Sequence, residues 1–209
     1  MRKPIKLVAF DLDGVLVDGG GSWVAVHRGL GTLLASQANG SEFFSGKISF
    51  EEWAKKDVAL WKGVEIEKLS DILGSCKLMD GIDETLPKLR EKYRIAIISG
   101  GLKMLADRLK ETYRLDYSFG NELVVTEGKV AGIKHTVDFG SKGEILRKLA
   151  ADMGISAKQC AAVGDYLNDI PMFQAAGYSI AFNPKNPEVA ESADEVVYEK
   201  DLRRILDFL

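Results

Sequence analysis

The chain has 209 residues, of which 46% are apolar and 28% charged, enough hydrophobe for one large α/β domain or a core carrying a smaller insertion. Its formal net charge of −3 supplies no basic field for nucleic acid or an anionic membrane surface. No apolar run approaches the ~20 residues that a membrane-spanning helix needs, and the basic start Met1-Arg2-Lys3 leads into an apolar stretch too short for a signal peptide before Asp11 and Asp13 intervene.

Leu7-Val8-Ala9-Phe10 is an unbroken apolar run that ends in acidic and glycine residues. That pattern predicts a strand buried on both faces of a parallel sheet, with a loop at its carboxyl end. Asp18-Gly19-Gly20-Gly21-Ser22 then breaks the chain. It lacks the GxGxxG spacing of a nucleotide fingerprint and reads as a hinge. From Trp23 to about Lys77 the apolar spacing is helical (Trp53, Val58, Trp61; Ile66, Leu69, Ile72, Leu73), and no strand is predicted. Ser49, followed three residues later by Glu52, predicts a capped helix start. Trp23, Phe43, Phe44, Trp53 and Trp61 are expected in the core of this block or in a homodimer contact, with lining of a substrate pocket as the alternative. Asp18, His27 and Arg28 are candidates for specificity contacts.

Beyond Asp80 an α/β rhythm resumes. Helices are predicted over 84–93, 103–113, 142–153 and 170–176, with Pro87 near the first turn of its helix. Strands are predicted over 94–98, 160–163, 178–182 and 195–198, and Leu123–Val125 with Val130–Ile133 flank a hairpin turn at Thr126–Lys129. Alternating strands and helices imply a doubly wound parallel sheet of Rossmann type. Residues 1–16 and 78–209 would form this core, and 17–77 a helical insertion. Cys76 and Cys160 form no metal or redox motif and are expected as buried, reduced thiols of a cytoplasmic protein. His27 and His135 are isolated, which argues against a histidine metal site.

Three predicted strands end in polar signatures: Asp11-Leu12-Asp13-Gly14, Ser99-Gly100-Gly101 and Gly164-Asp165-Tyr166-Leu167-Asn168-Asp169. In an open α/β sheet, ligands bind at the carboxyl ends of the strands, so these residues are expected to converge, joined by Lys142 from a helix start. Asp11, Asp13, Asp165 and Asp169 crowd negative charge that a hard cation relieves, and magnesium suits carboxylate, water and phosphate ligands best. Lys142, Ser99 and the amides around Gly100 and Gly101 complete a phosphate cradle. Asp11 is the natural covalent nucleophile, and Asp13, on the same side, the general acid and base.

This ordered set resembles the haloacid dehalogenase superfamily. Ser-Gly-Gly and Gly-Asp-x-x-Asn-Asp-x-x-Met, from Gly164 to Met172, resemble its phosphoserine-phosphatase-like branch. The resemblance implies Mg²⁺ on Asp11, the Asp13 carbonyl and Asp165, phosphate contacts from Ser99, Gly100 and Lys142, and Asn168 facing a small phosphorylated metabolite. It implies that Asp169 orients Lys142 or a metal-bound water, and that the helical insertion is a cap that excludes water. The chain departs from the branch at two places. Gly20 stands where the branch carries a glutamate that reads the substrate amino group, and Gly14-Val15 replaces the usual Ser-Thr; both argue against phosphoserine as substrate. A different reaction of the superfamily, such as phosphotransfer, or a non-catalytic phosphate-binding role are the competing readings.

Overall fold

The structure is a computed structural model that describes residues 4–209; the basic Met1-Arg2-Lys3 start lies outside them. Strand β1 (Leu7–Phe10) has every side chain fully buried, as an unbroken apolar run in a two-sided sheet requires. It pairs in parallel with β2 (Arg94–Leu102) on one side and β5 (Cys160–Gly164) on the other. Outward from β2 lie β3 (Tyr117–Thr126) and β4 (Lys129–Lys134), and outward from β5 lie β6 (Tyr178–Phe182) and β7 (Glu195–Val197). The strand order is β4-β3-β2-β1-β5-β6-β7, parallel throughout except for the antiparallel β3–β4 pair.

Alternate residues of β1 and β2 point into two separate apolar layers. Val8, Phe10, Ile95 and Ile97 pack with Leu86 of α5 (Ile82–Arg90) and Leu105 of α6 (Lys103–Tyr113). Leu7, Ala9, Ala96 and Ile98 pack with Leu146 of α7 (Lys142–Asp152) and Met172 of α8 (Ile170–Ala175). Helices thus cover both faces, which is the doubly wound α/β arrangement.

Between β1 and α5 the chain forms α1 (Gly21–Leu30), α2 (Leu33–Phe44), α3 (Phe50–Ala59) and α4 (Ile66–Gly74). Val26, Val58, Trp61, Leu69 and Leu73 from this block join the same apolar layer as Val8 and Phe10. The hairpin braces it as well: the Gly63 N–H donates to the Val130 carbonyl at 2.8 Å and the Val130 N–H to the Val64 carbonyl at 2.9 Å.

Some boundaries differ from the sequence expectation. β2 runs on through Ser99-Gly100-Gly101 to Leu102, with its register against β3 shifting between Ile98 and Leu102. β3 begins at Tyr117, well before the expected hairpin strand, and serves β2 with its first half and β4 with its second. Helix α5 starts at Ile82, so Pro87 lies inside it and withholds the N–H that would bond the Asp83 carbonyl. Both cysteines are free, as expected, but Cys76 is only partly buried while Cys160 is fully so. Among the described residues no helix is long and apolar enough to cross a membrane.

Candidate active site

Because β1, β2 and β5 are adjacent and parallel, their carboxyl ends bring Asp11, Ser99 and Asp165 to one side of the sheet. Asp11 is buried, and its Oδ1 accepts the Leu12 N–H at 2.7 Å. Lys142 Nζ lies 2.9 Å from the same oxygen and 2.6 Å from Asp169 Oδ1. This lysine is fully buried, a state lysine rarely adopts without paired carboxylates. Asp169 Oδ2 accepts the N–H groups of Asp165 at 2.9 Å and Tyr166 at 3.1 Å, so it clamps the loop after β5 while it holds the lysine. Asp165 Oδ2 lies 3.3 Å from Lys185 Nζ, and its Oδ1 is buried with no hydrogen-bond partner.

Two glycines make this crowding sterically possible. Gly14 has φ +95°, and a Cβ there would fall 2.0 Å from Asp165 Oδ2. A Cβ on Gly101 would fall 2.5 Å from Asp13 Oδ2. Ser99, at 1% exposure, accepts the Gly101 N–H on its hydroxyl oxygen at 3.0 Å, which leaves its own proton to donate elsewhere. Asn168 borders the same space with a buried, unpartnered Oδ1.

The electrostatics reflect uncompensated charge. Burial first, and then the Asp11 and Asp169 carboxylates, push Asp165 up to about 8. Burial and the neighbouring Asp11 likewise push Asp13 and Asp169 up to about 6. For Lys142, burial opposes the charged form, but Asp11 and Asp169 outweigh it and hold the ammonium above its usual range. Carboxylate oxygens of Asp11, Asp165 and Asp169 lie within 4.8 Å of one another. An unpartnered carboxylate oxygen inside an all-oxygen, acid-rich donor set fits a hard divalent cation such as magnesium.

Asp13 turns its carboxylate to the first turn of α1. Its Oδ1 accepts the Ser22 N–H and its Oδ2 the Ser22 hydroxyl, both at 2.8 Å, while that hydroxyl oxygen also accepts the Leu102 N–H at 3.0 Å. The expected set therefore comes together in space: Asp11, Asp13, Ser99, Gly100, Asp165 and Asn168 line one cleft of about 550 Å³, with Lys142 and Asp169 buried against Asp11.

The helical block forms the opposite wall. Trp23, Phe44 and Trp53 line the cleft; Trp23 also packs against the apolar layer, in which Trp61 is fully buried. The Trp23 indole donates to the Gly100 carbonyl at 3.0 Å. Asp18 and His27 also line the cleft, whereas Arg28 is spent on the exposed Gly19 carbonyl at 3.1 Å. Phe50, Asp57, Phe139, Tyr166, Lys185 and Lys200 are lining residues that the sequence reading did not single out. Tyr166 sits inside a recognised signature and Phe50 beside the predicted cap, so both carried a positional signal; the others carried none.

An open α/β sheet that gathers four carboxylates and a buried lysine beside a serine-glycine loop belongs to the phosphoryl-transferring hydrolases. A haloacid dehalogenase-like hydrolase family model matches residues 5–177, and the chain belongs to that family. It is 36% identical to the phosphoserine phosphatase of Methanocaldococcus jannaschii over the whole of both chains, and 36% identical to that of Wolinella succinogenes over 98% of this chain and 100% of the relative. A solved phospho-aspartyl intermediate analogue of phosphoserine phosphatase superposes with a TM-score of 0.86 at 36% identity, covering 99% of this chain and 100% of the other. A haloacid dehalogenase family hydrolase from Salmonella enterica superposes at 0.90 with 28% identity, over 97% and 70% of the two chains. The chain is a phosphatase of this family.

Proposed function

We propose that the protein hydrolyses a small phosphomonoester in two steps through an aspartyl phosphate on Asp11. The observation that carries this is the position of Lys142 Nζ, 2.9 Å from Asp11 and 2.6 Å from Asp169. It pairs the nucleophile with a cation in a buried site and places that positive charge where phosphate oxygens would dock. An Asp11 carboxylate oxygen attacks phosphorus, the ester P–O bond breaks, and Asp13 gives its proton to the departing alkoxide. Asp13 then takes a proton from water, the water oxygen attacks phosphorus, and the acyl phosphate bond breaks to release inorganic phosphate and restore Asp11.

Ser99 donates its hydroxyl proton to the phosphate, with Gly100 and Asn168 bordering it, and Asp169 keeps Lys142 aimed at Asp11. Asp11, the Asp13 carbonyl and Asp165 would hold magnesium, which when bound neutralises phosphate charge. Residues 17–77 act as the cap over the cleft. An Asp13 held near 6 suits a group that must both give and take a proton near neutral pH. The test is turnover of p-nitrophenyl phosphate with and without magnesium, for the wild type and Asp11→Asn. Magnesium-dependent turnover that drops on the order of 10³-fold or more in the variant is expected. Undiminished turnover by Asp11→Asn would overturn the covalent role.

A further inference from the structure

We infer that the alcohol part of the substrate is aromatic and carries no carboxylate; this names the substrate class for the phosphomonoesterase reading above and rests on it. The first observation is what adjoins the phosphate loop. A methyl placed on the Gly100 α-carbon would lie 3.5 Å from Phe50 Cζ and 3.7 Å from Asn168 Nδ2. The Phe50 ring thus adjoins the loop that supplies the phosphate donors.

Phe50 belongs to a set of rings that faces the cleft from both walls. Its centroid lies 5.7 Å from that of Trp53 on the same helix and 6.1 Å from that of Phe139 in the loop before α7, and Phe139 stands edge-on to Tyr166 at 6.3 Å. All four rings line the cleft. Rings at such spacings and tilts accept another ring by stacking or by edge-to-face contact. The cleft has room for a ring: about 550 Å³ falls within the ordinary range of small-molecule pockets.

The second observation is a charge that α3 brings to the cleft. Asp57, 3% exposed, accepts the Asn39 amide N–H on Oδ1 at 2.8 Å and faces His27 Nε2 with Oδ2 at 3.2 Å. His27 Nδ1 lies 3.2 Å from the Trp61 indole N–H. Nδ1 also lies 2.7 Å from the Thr32 hydroxyl, and Nε2, on the Asp57 side, is buried without a hydrogen-bond partner. The imidazole is thus held among Asp57, Trp61 and Thr32. Among the described lining residues the lysines are Lys185, beside Asp165 at 3.3 Å, and Lys200, bonded to Asp18 at 2.5 Å. A substrate carboxylate would meet a buried carboxylate and lysines already paired with acids, which is selection by repulsion. Gly20, which also lines the cleft, offers no side chain to an ammonium group.

The test compares kcat/KM with magnesium for benzyl phosphate, ethyl phosphate and O-phospho-L-serine. All three release alkoxides, so ring and carboxylate effects are read without the advantage of a phenolic leaving group. Benzyl phosphate is expected to exceed both others by about tenfold or more, the range a filled apolar pocket gives. Phe50→Ala is expected to narrow the benzyl-to-ethyl ratio severalfold, a ratio that partial loss of folded enzyme does not move. Asp57→Asn is expected to raise phosphoserine relative to benzyl phosphate. If p-nitrophenyl phosphate is hydrolysed but phosphoserine equals or beats benzyl phosphate, the aromatic inference is overturned while the phosphatase reading stands. If no ester is hydrolysed, the phosphatase reading fails and this inference falls with it.

Discussion

Lys142 shows how a single side chain ties stability to chemistry. Its ammonium is fully buried between Asp11 and Asp169, and removing one member of such a group leaves charge without compensation. Lys142→Met is expected to abolish turnover and, in metal-free protein at pH 8, to cost about 3–5 kcal/mol of unfolding free energy. The loss should shrink at pH 5, where the neighbouring acids can take up protons, and denaturant titrations at the two pH values read the difference. Ser22 acts more gently. Its hydroxyl donates to Asp13 at 2.8 Å and thereby opposes the burial and the Asp11 charge that push the Asp13 pKa up to about 6. Ser22→Ala is expected to raise it again. The limb of the kcat/KM profile on which Asp13 loses the proton needed by the leaving group should then move to higher pH. A profile that keeps its position while only the rate falls would show that Ser22 merely supports the fold.

Helix α3 shows what local sequence can and cannot settle. Ser49 and Glu52 form the reciprocal cap that their spacing predicted: the Glu52 N–H donates to Ser49 Oγ at 3.1 Å, and the Ser49 N–H donates to Glu52 Oε2 at 2.7 Å. Capping is decided within one turn, so sequence sufficed. Ser49→Ala is expected to cost about 1 kcal/mol, read as a lowered melting temperature. Since α3 carries Phe50, Trp53 and Asp57 into the cleft, KM should rise as well. The strand-end residues were legible for a similar reason: once β1, β2 and β5 are parallel neighbours, the ends of those apolar runs must meet. The His27–Asp57 pair was not legible, because it joins α1 to α3 through packing that no local spacing encodes. The first half of β3 was missed because Gly120 and Asn121 interrupt its apolar pattern, although Asn121 is buried and bonds the Gly100 and Val137 carbonyls.

Over the whole molecule, the fold has to hold buried acids whose mutual repulsion opposes folding. Asp13 and Asp169 sit near 6 and Asp165 near 8, each above the ordinary 3.8. A carboxyl group raised in the folded state binds its proton more tightly there than in the unfolded chain. Its contribution to stability is fully present below the unfolded value and is lost as pH climbs through the folded one. The metal-free protein is therefore expected to lose stability progressively from about pH 4 to pH 8. A divalent cation bound only by the folded state adds stability by mass action and competes with the same protons. Magnesium should then raise the melting temperature, and raise it more at pH 8 than at pH 5, where protons already neutralise part of the cluster. Thermal melts in chelator and in excess magnesium at those two pH values check both expectations. A magnesium shift of equal size at pH 5 and pH 8 would place the bound ion away from Asp13, Asp165 and Asp169.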